Sequence, residues 1–246
     1  MIAAVPPGNP FVADEWLGGI LGRPAYRYTG PAGYRLVASV ARPFLGAGVF
    51  AYAKVAVGDI TTLHALGSCG FRLIDTNITL AHTGASAAAP AGEYTVRFSE
   101  PHDESGVTEL ARRSFRFSRF HLDPAFPQVL ADTVKATWAG NFFRGQRGDL
   151  MAIATKGKDV IGFLQCLKAP DGILVIDLFA VDAVFRRQGI ARAMIAHAQA
   201  RTPGIARVRV GTQLANLPSI NLFESQGYKV EAAEYVLHYH GKQGPG

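Results

Sequence analysis

The stretch ILVIDLFAVDAVFRRQGIARAM, residues 173–194, decides the fold of this chain. Its first nine residues are apolar except for Asp177, which is typical of a central strand buried on both faces. Residues 186–192 then carry three arginines and Gly189 where a helix is expected to begin. Backbone N–H groups at a helix start, beside a glycine that permits close approach, favour phosphate binding. An ordinary basic helix start has the same composition, so these residues alone leave both interpretations open.

Strands and helices alternate around this stretch. Apolar residues that alternate over short runs predict strands, and apolar residues at helical spacing predict helices. The predicted strands cover residues 94–100, 149–155, 159–168, 173–181, 207–212 and 235–240, and the predicted helices cover 102–113, 127–138, 186–201 and 218–227. This order predicts a mixed α/β (α+β) sheet.

The N-terminal part contains a smaller unit of the same kind. Residues 49–57 predict a strand, residues 59–70 a helix with Asp59 as its N-cap, and residues 71–80 a second strand. The Ala-, Gly- and Ser-rich stretch AHTGASAAAPAGE that follows has no apolar periodicity, so it is interpreted as a linker. The sequence therefore predicts a small N-terminal β-α-β domain over 1–92, which includes the linker at 81–92, and a larger domain over 93–246.

Composition limits the class of protein and of partner. The chain has 246 residues, 48% hydrophobic and 18% charged, which is too apolar for an extended disordered chain. Its net charge of +6 favours an anionic partner. Without a helix-turn-helix or zinc pattern, nucleic acid is the least favoured of those partners.

Cysteine usage and hydropathy indicate a protein of the cytoplasm. Cys69 and Cys166 lie far apart without a CxxC spacing, so neither a disulfide framework nor a zinc site is expected. The longest apolar stretch, residues 36–57, is interrupted by Arg42, Pro43 and Lys54, which argues against a membrane span and a membrane partner. The first residues lack the basic start of a secretory signal.

A second pattern accompanies the first. Asn216 is followed by a small residue, Ser219, then by Phe223, and then by the pair Gly227 and Tyr228. Together with Arg186, Gly189 and Ala191, this pattern resembles the two signatures of the GCN5-related N-acetyltransferase (GNAT) superfamily. The resemblance covers roughly residues 94–240 and implies an acyl-CoA N-acyltransferase fold.

The resemblance implies that acetyl-CoA binds where the strand ending at Val181 splays away from its neighbour at 208–212, with no metal required. Backbone groups of the first strand would contact the pantetheine arm, and N–H groups of the following turn would receive the pyrophosphate. The implied cofactor contacts are Phe179, Val181, Arg186, Arg187, Gln188, Gly189, Ile190, Ala191, Arg192, Asn216, Ser219 and Phe223.

Two catalytic roles are assigned with alternatives. Asp177 interrupts an apolar strand, which is costly unless the carboxylate is partnered or functional, so we expect it either to remove the proton of the acceptor amine or to bind substrate. Many family members have a tyrosine at position 223 that protonates the departing thiolate, and phenylalanine has no proton to donate. Tyr228 is the leading substitute, and the thiolate leaving unaided is another alternative. Further candidates are Tyr235, Tyr239 and His238.

The acceptor is expected beside the loop at residues 111–127, which interleaves arginines with phenylalanines. Guanidinium groups beside aromatic rings suit a phosphate and a stacked base, although core phenylalanines beside a solvated basic face give the same pattern. The residues assigned to substrate binding are Arg116, Arg119, Phe120, His121 and Asn141.

A narrower similarity includes the N-terminal part. The segments 49–57 and 70–80, SRFHLDP at 118–124, and the C-terminal NLPSINLFESQGY resemble two-domain enzymes of the TDP-fucosamine acetyltransferase type. That similarity implies acetyl transfer to a primary amine of a nucleotide-linked aminosugar in a ternary complex. The alternatives are another small amine or a non-catalytic acyl-CoA-binding regulatory module. The sequence leaves open whether the protein forms a homodimer.

Overall fold

The computed structural model of the protein describes residues 10–33, 41, 43–84 and 92–241. Ten strands and six α-helices alternate along this part of the chain. The strands are β1 (Phe11–Ala13), β2 (Ala25–Tyr28), β3 (Phe50–Ala56), β4 (Arg72–Thr83), β5 (Thr95–Phe98), β6 (Leu150–Lys156), β7 (Asp159–Ala169), β8 (Ile173–Val181), β9 (Arg207–Gln213) and β10 (Lys229–His240). The helices are α1 (Glu15–Leu21), α2 (Ile60–Ser68), α3 (Glu104–Ser114), α4 (Gln128–Phe143), α5 (Ile190–Ala200) and α6 (Leu217–Glu224).

A single mixed sheet joins the two halves of the chain. Its strand order is β1-β2-β3-β10-β4-β9-β8-β7-β6-β5, with β2 parallel to β3, β8 parallel to β9, and the other pairs antiparallel. The strand β4 of the N-terminal half therefore lies between β9 and β10 of the C-terminal half. This confirms the mixed α/β sheet, while the division into domains at residue 92 stays a prediction.

Helices cover both faces of the C-terminal sheet. Alternate residues of each strand point to opposite faces, so each strand contributes side chains to both helix layers. Ile153 of β6 and Phe163 of β7 pack with Val107 of α3 and Ala139 of α4. Their neighbours on the strands, including Ala152 and Leu164, pack on the other face with Met194 of α5. The core is thus divided between two helix layers, which place α3 and α4 on one side of β8 and α5 on the other.

Most predicted elements are present, with shifted ends. Helix α5 begins at Ile190 rather than at residue 186, because Arg187 and Gly189 have φ values of 64° and 79° that a helix does not tolerate. The helix predicted at 127–138 extends to Phe143, and β10 begins at Lys229, six residues earlier than expected.

Two sequence interpretations need correction. Strand β8 is not buried on both faces: its residues alternate between buried and partly exposed, because one face borders an open cleft. The predicted linker also starts too early, since Ala81, His82 and Thr83 belong to β4 and pair with β9. Residues 85–91 of that linker lie outside the described part of the chain.

Strands β8 and β9 separate halfway along their length. They pair in parallel from Ile173 with Arg207 to Ile176 with Val210, and the pairing stops there although both strands continue. On its other edge β8 has a bulge against β7, where Gln165 pairs with Leu178 and Cys166 with Ile176. Asp177 is the extra residue of the bulge and stands where the strands begin to diverge.

Candidate active site

The diverging strands open a cleft of about 820 Å³, a size typical of small-molecule sites. One wall comes from β8, the turn after it and the start of α5; the opposite wall comes from β9 and α6. The floor and the far end come from the loop after α3, from α4 and from Arg147. Backbone groups of β8 beyond Ile176 lack strand partners on the β9 side, which leaves them accessible to a ligand.

The turn before α5 has the geometry expected of an anion site. Gly189 caps the helix in the left-handed conformation, with φ 79° and ψ 0°, and no side chain occupies the cap. The first N–H groups of a helix have no acceptor within it, and the helix dipole adds positive potential at that end. Arg186, Arg187 and Arg192 line the same part of the cleft. The sequence-predicted phosphate turn therefore lies at the cleft, as we expected from the motif.

Two buried polar atoms on the cleft walls have no hydrogen-bond partner among the residues that the structure describes. They are Nε of Arg192 and the hydroxyl oxygen of Ser219, and both residues line the cleft. Ser219 is 5% exposed. Asn216 is the N-cap of α6: its side chain accepts from the Ser219 N–H and donates to the Thr212 hydroxyl.

The aromatic cluster beside α6 lies behind the cleft wall. The Phe223 ring is fully buried and meets the rings of Phe179 and Tyr228 edge-on at centroid distances of 5.5 Å and 5.0 Å. Neither Phe223 nor Tyr228 is among the described cleft-lining residues, whereas Phe179 is. Tyr228 is 1% exposed. The proton-donating role of Tyr228 stays a prediction without support from its position.

Asp177 is the best-connected carboxylate in the cleft. Its side chain is 6% exposed and accepts from Trp138 Nε1 at 2.8 Å, from Gln165 Nε2 at 3.0 Å and from Arg147 Nε at 2.7 Å. A second Arg147 nitrogen reaches the other carboxylate oxygen, so the ion pair is bidentate. Four donors already occupy this carboxylate. The geometry therefore supports a third role, in which Asp177 holds Arg147, Trp138 and Gln165 in place, and the two roles expected from sequence stay predictions.

A basic and aromatic group of residues forms the far end of the cleft. The Lys135 ammonium, on a residue 8% exposed, lies 4.8 Å from the ring centroids of both Phe115 and Trp138. The Arg119 guanidinium lies 3.9 Å from the Tyr52 ring centroid and 4.3 Å from that of Phe120. Contacts of this kind between cations and aromatic faces are attractive, and they orient the charged groups.

Burial lowers the pKa of Lys135 to about 7, assisted by the positive charges of Arg119 and Arg147 and opposed by Asp177. Burial also lowers the pKa of Arg119 to about 10. Desolvation penalises the charged form of a base, and neighbouring cations add to the penalty. At neutral pH Lys135 is therefore divided between its neutral and charged forms.

A hydrogen-bonded chain behind the cleft holds Arg119. One Asp123 oxygen accepts from His238 Nδ1 and from His240 Nε2, each at 2.7 Å. Arg119 Nη1 lies 3.2 Å from His238 Nε2, and Arg23 Nη2 lies 3.2 Å from His240 Nδ1. Guanidinium N–H groups only donate, so each imidazole accepts from an arginine and donates to the carboxylate. The His238 ring is then neutral and Asp123 is ionised.

The residues assigned to substrate binding from sequence divide into two groups. Arg116, Arg119 and Phe120 line the cleft. His121 and Asn141 are not among the described lining residues: the His121 ring bonds to Ser118 and Asp132, and the Asn141 amide accepts from Arg144. A substrate contact by His121 or Asn141 stays a prediction that this position does not favour.

Sequence reasoning missed three residues of the far end: Lys135, Trp138 and Tyr52. Lys135 and Trp138 are three residues apart on α4, so they share one helix face. The available signal was Lys135 itself, because the apolar pattern of the helix places this lysine toward the core. Tyr52 is on β3 and reaches the site only through the long-range pairing of β3 with β10, which no local pattern indicates.

No helix within the described ranges of the chain is long and apolar enough to cross a membrane.

Comparison with known proteins agrees with this arrangement. Residues 107–228 match the model of the acetyltransferase (GNAT) family. Over 141 residues the chain is 35% identical to the spore coat polysaccharide biosynthesis protein SpsD of Bacillus subtilis (strain 168). That match includes 56% of this chain and 48% of SpsD, so the chain spans about half the length of this curated relative.

Solved structures share the fold at low sequence identity. A GCN5-related N-acetyltransferase from Kribbella flavida has a TM-score of 0.61 and 11% identity, with 94% of this chain and 87% of that chain covered. A tandem GNAT protein from the clavulanic acid biosynthesis pathway has a TM-score of 0.59 and 12% identity, with 90% and 76% covered. Residues 107–228 therefore form a domain of the acetyltransferase (GNAT) family.

Proposed function

We propose that this protein transfers an acetyl group from acetyl-CoA to a primary amine. The observation that carries the proposal is a cleft that begins at the glycine-capped start of α5 and follows the edge of β8 where its pairing with β9 has ended. Phosphates at the helix start and amide groups of the pantetheine arm along β8 would supply the missing hydrogen bonds. The GNAT family membership supports the same donor.

The reaction proceeds by direct attack within a ternary complex. The neutral amine nitrogen attacks the thioester carbonyl carbon and forms the new carbon–nitrogen bond. The carbon–sulfur bond breaks, the coenzyme A thiolate leaves, and the nitrogen loses one proton to water, from which the thiolate takes up a proton. A thiolate is a good leaving group, because thiols have pKa values near 8.5. Phe223 therefore does not prevent turnover. The buried thiol of Cys166, whose pKa burial raises, is unsuited to carry the acyl group.

We propose an aminosugar, carried on a nucleotide, as the amine substrate. The name of SpsD associates that relative with polysaccharide biosynthesis, which supports a sugar acceptor here. The cations and aromatic rings at the far end of the cleft suit the phosphates and the base of a nucleotide.

The test uses purified protein, acetyl-CoA and a panel of amines that includes nucleotide-linked aminosugars, simple aminosugars and amino acids. Release of the coenzyme A thiol with at least one amine, and mass spectrometry of the acetylated product, are the expected results. Tight acetyl-CoA binding without turnover on any amine would instead favour a regulatory module. Failure to bind acetyl-CoA would exclude both functions.

A further inference from the structure

We propose that Lys135 and Arg119 form an oxyanion-binding subsite at the far end of the cleft, which takes a phosphate or carboxylate group of the amine substrate. This inference rests on the proposed function and adds a requirement to it: the acceptor carries a negative charge close to its reacting amine. Lys135 was not expected to be functional from sequence, and the two residues come from different elements, α4 and the loop after α3.

The first reason is that both cations lack a carboxylate partner. Among the described residues, neither Lys135 nor Arg119 forms an ion pair with an aspartate or glutamate within 4.0 Å. Buried charges are normally paired, since an unpaired charge loses its hydration without compensation. The carboxylate at this end of the cleft, Asp177, is bonded to Arg147. Arg119 is also within electrostatic range of Asp14 and Asp123, which stabilise its charge. Asp177, the carboxylate that acts on Lys135, is shared with Arg147, so a substrate anion would mainly stabilise the Lys135 ammonium.

The second reason is that both cations are held in place by groups that form no direct ion pair with them. Aromatic rings flank them: Phe115 and Trp138 beside Lys135, and Tyr52 and Phe120 beside Arg119. Rings attract a cation but carry no net charge, so an oxyanion would still find an unsatisfied partner.

Arg119 is held further by the neutral His238 ring behind it, which accepts a guanidinium N–H. The ring positions the guanidinium without carrying a charge of its own, while Asp14 and Asp123 stabilise the guanidinium charge from nearby. Preorganised donors of this kind bind anions more tightly than flexible ones, because less side-chain entropy is lost on binding.

Protonation of Lys135 gives the proposal a distinctive signature. The charged groups that face Lys135 are Arg119, Arg147, Asp177 and, when protonated, His121. Burial and the two arginines lower its pKa to about 7 in the absence of an anion. A bound oxyanion raises that pKa, because it stabilises the ammonium form. Binding at pH 7 would then take up about half a proton from solution.

Lys135 as the base that deprotonates the acceptor amine is the competing interpretation of the same geometry. A base acts on any amine, whether or not it carries an anion, and requires a neutral lysine in the complex. An anion site requires a charged lysine and selects among acceptors. The two interpretations therefore predict opposite proton movements on binding.

The experiment is calorimetric titration of the full chain, saturated with coenzyme A so that the phosphate turn at Gly189 is occupied. The probes are inorganic pyrophosphate and acetate, each titrated at pH 7 in HEPES and in Tris, whose ionisation enthalpies differ. We expect one probe to bind with proton uptake of about half a proton. Tighter binding of pyrophosphate identifies a phosphate-bearing acceptor, and tighter binding of acetate a carboxylate-bearing one.

Variants separate the subsite from general charge effects. Lys135→Met removes the ammonium but keeps an apolar stem, and we expect it to weaken anion binding at least tenfold and to abolish proton uptake. Lys168→Met removes the same charge from an exposed position on β7 and should leave both unchanged. Because the buried cation is unpaired, Lys135→Met should melt at or above the wild-type temperature, which confirms that it folds.

The proposal is overturned if the coenzyme A complex binds neither probe, if binding is unchanged in Lys135→Met, or if the wild-type protein releases protons on binding. The first and third outcomes are decisive even without a folded variant. Failure of the chain to bind coenzyme A at all would instead remove the proposed function, so the two failures are distinguishable.

Discussion

The indole N–H of Trp138 donates to the Asp177 carboxylate, with 2.8 Å between Nε1 and Oδ2, and this bond joins helix α4 to the bulge of strand β8. Trp138 also packs against Lys135 and against Trp16 of α1, whose ring lies edge-on at 5.8 Å. One side chain therefore connects the N-terminal helix, the cationic end of the cleft and the point where the strands diverge.

Trp138→Phe tests this connection. Phenylalanine keeps an aromatic ring that packs against Trp16, but a buried Asp177 oxygen loses the indole N–H as a donor. Losing one hydrogen bond to a buried charged group costs about 1 to 3 kcal/mol of unfolding free energy, measured by urea denaturation. Turnover should fall as well, because the carboxylate and Arg147 lose a fixed orientation. A variant as stable as the wild type would show that the bond contributes nothing to the fold.

The ion pair of Arg147 with Asp177 gives a second prediction. Arg147→Met leaves the charge of Asp177 uncompensated, and the Asp177 side chain is only 6% exposed. Asp177→Asn removes that charge itself. We expect Arg147→Met to lose about 2 kcal/mol or more of unfolding free energy, with part of that loss recovered in the double variant. Urea denaturation of the two single variants and the double variant measures this coupling. Additive losses would mean that the two side chains do not interact in solution.

Local patterns predicted most of the fold. The cap at Asp59, the β6–β7 turn at Gly157 and the nine residues of β8 all lie where the sequence places them, because caps, turns and apolar runs are local properties. The position of β4 was not predicted. Its insertion between β9 and β10 depends on pairing with strands more than 100 residues away, which its own residues do not specify.

The same distinction applies to the cleft. The turn at Gly189 was predicted because it is formed by consecutive residues of the chain. The Lys135 and Arg119 pair was not, because it exists only after α4, the loop after α3 and strand β10 come together. His121 and Asn141 illustrate the opposite error: both are polar residues near the correct segments, yet their side chains bond to neighbours outside the cleft lining.

The glycine cap of α5 gives a third prediction. Gly189 has φ 79°, so Gly189→Ala strains the backbone at the phosphate turn, and its new methyl group approaches the ligand. We expect coenzyme A affinity to fall at least tenfold by calorimetry. Gly157→Ala is the matched control, because Gly157 has φ 61° in the turn between β6 and β7, outside the cleft lining. It should lose stability by a similar amount but bind coenzyme A normally. Equal affinities in both variants would contradict the cap assignment.

The hydrogen-bonded chain around Asp123 predicts how stability depends on pH. Burial lowers the pKa of His238 to about 4, assisted by Arg119 and His240 and opposed by the Asp123 carboxylate. In the unfolded chain this imidazole has its ordinary pKa near 6.5. Between pH 6.5 and 4 the unfolded state therefore binds more protons than the folded state, and acidification favours unfolding.

The pKa of Asp123 extends the effect to lower pH. Burial raises it, but the hydrogen bonds from His238 and His240 outweigh burial and hold it well below its usual range. A carboxylate with a depressed folded-state pKa contributes stability above its unfolded pKa near 4, and this contribution is lost as the pH falls further. Loss of stability should thus begin with His238 below pH 6.5 and continue with Asp123 below pH 4.

His238→Asn is the variant that separates these two contributions. Asparagine keeps an N–H donor near the position of the imidazole Nδ1, so the bond to Asp123 is preserved while the titrating group is removed. Urea denaturation at several pH values should show a decrease of up to about 3 kcal/mol in the wild type between pH 6.5 and 4, and a flatter profile in the variant. His64→Asn, at an exposed position on α2, should keep the wild-type slope. Only a group with different folded and unfolded pKa values makes the unfolding free energy depend on pH. If the unfolding free energy of His238→Asn fell with pH as steeply as that of His64→Asn, the buried imidazole would therefore not be the group that titrates.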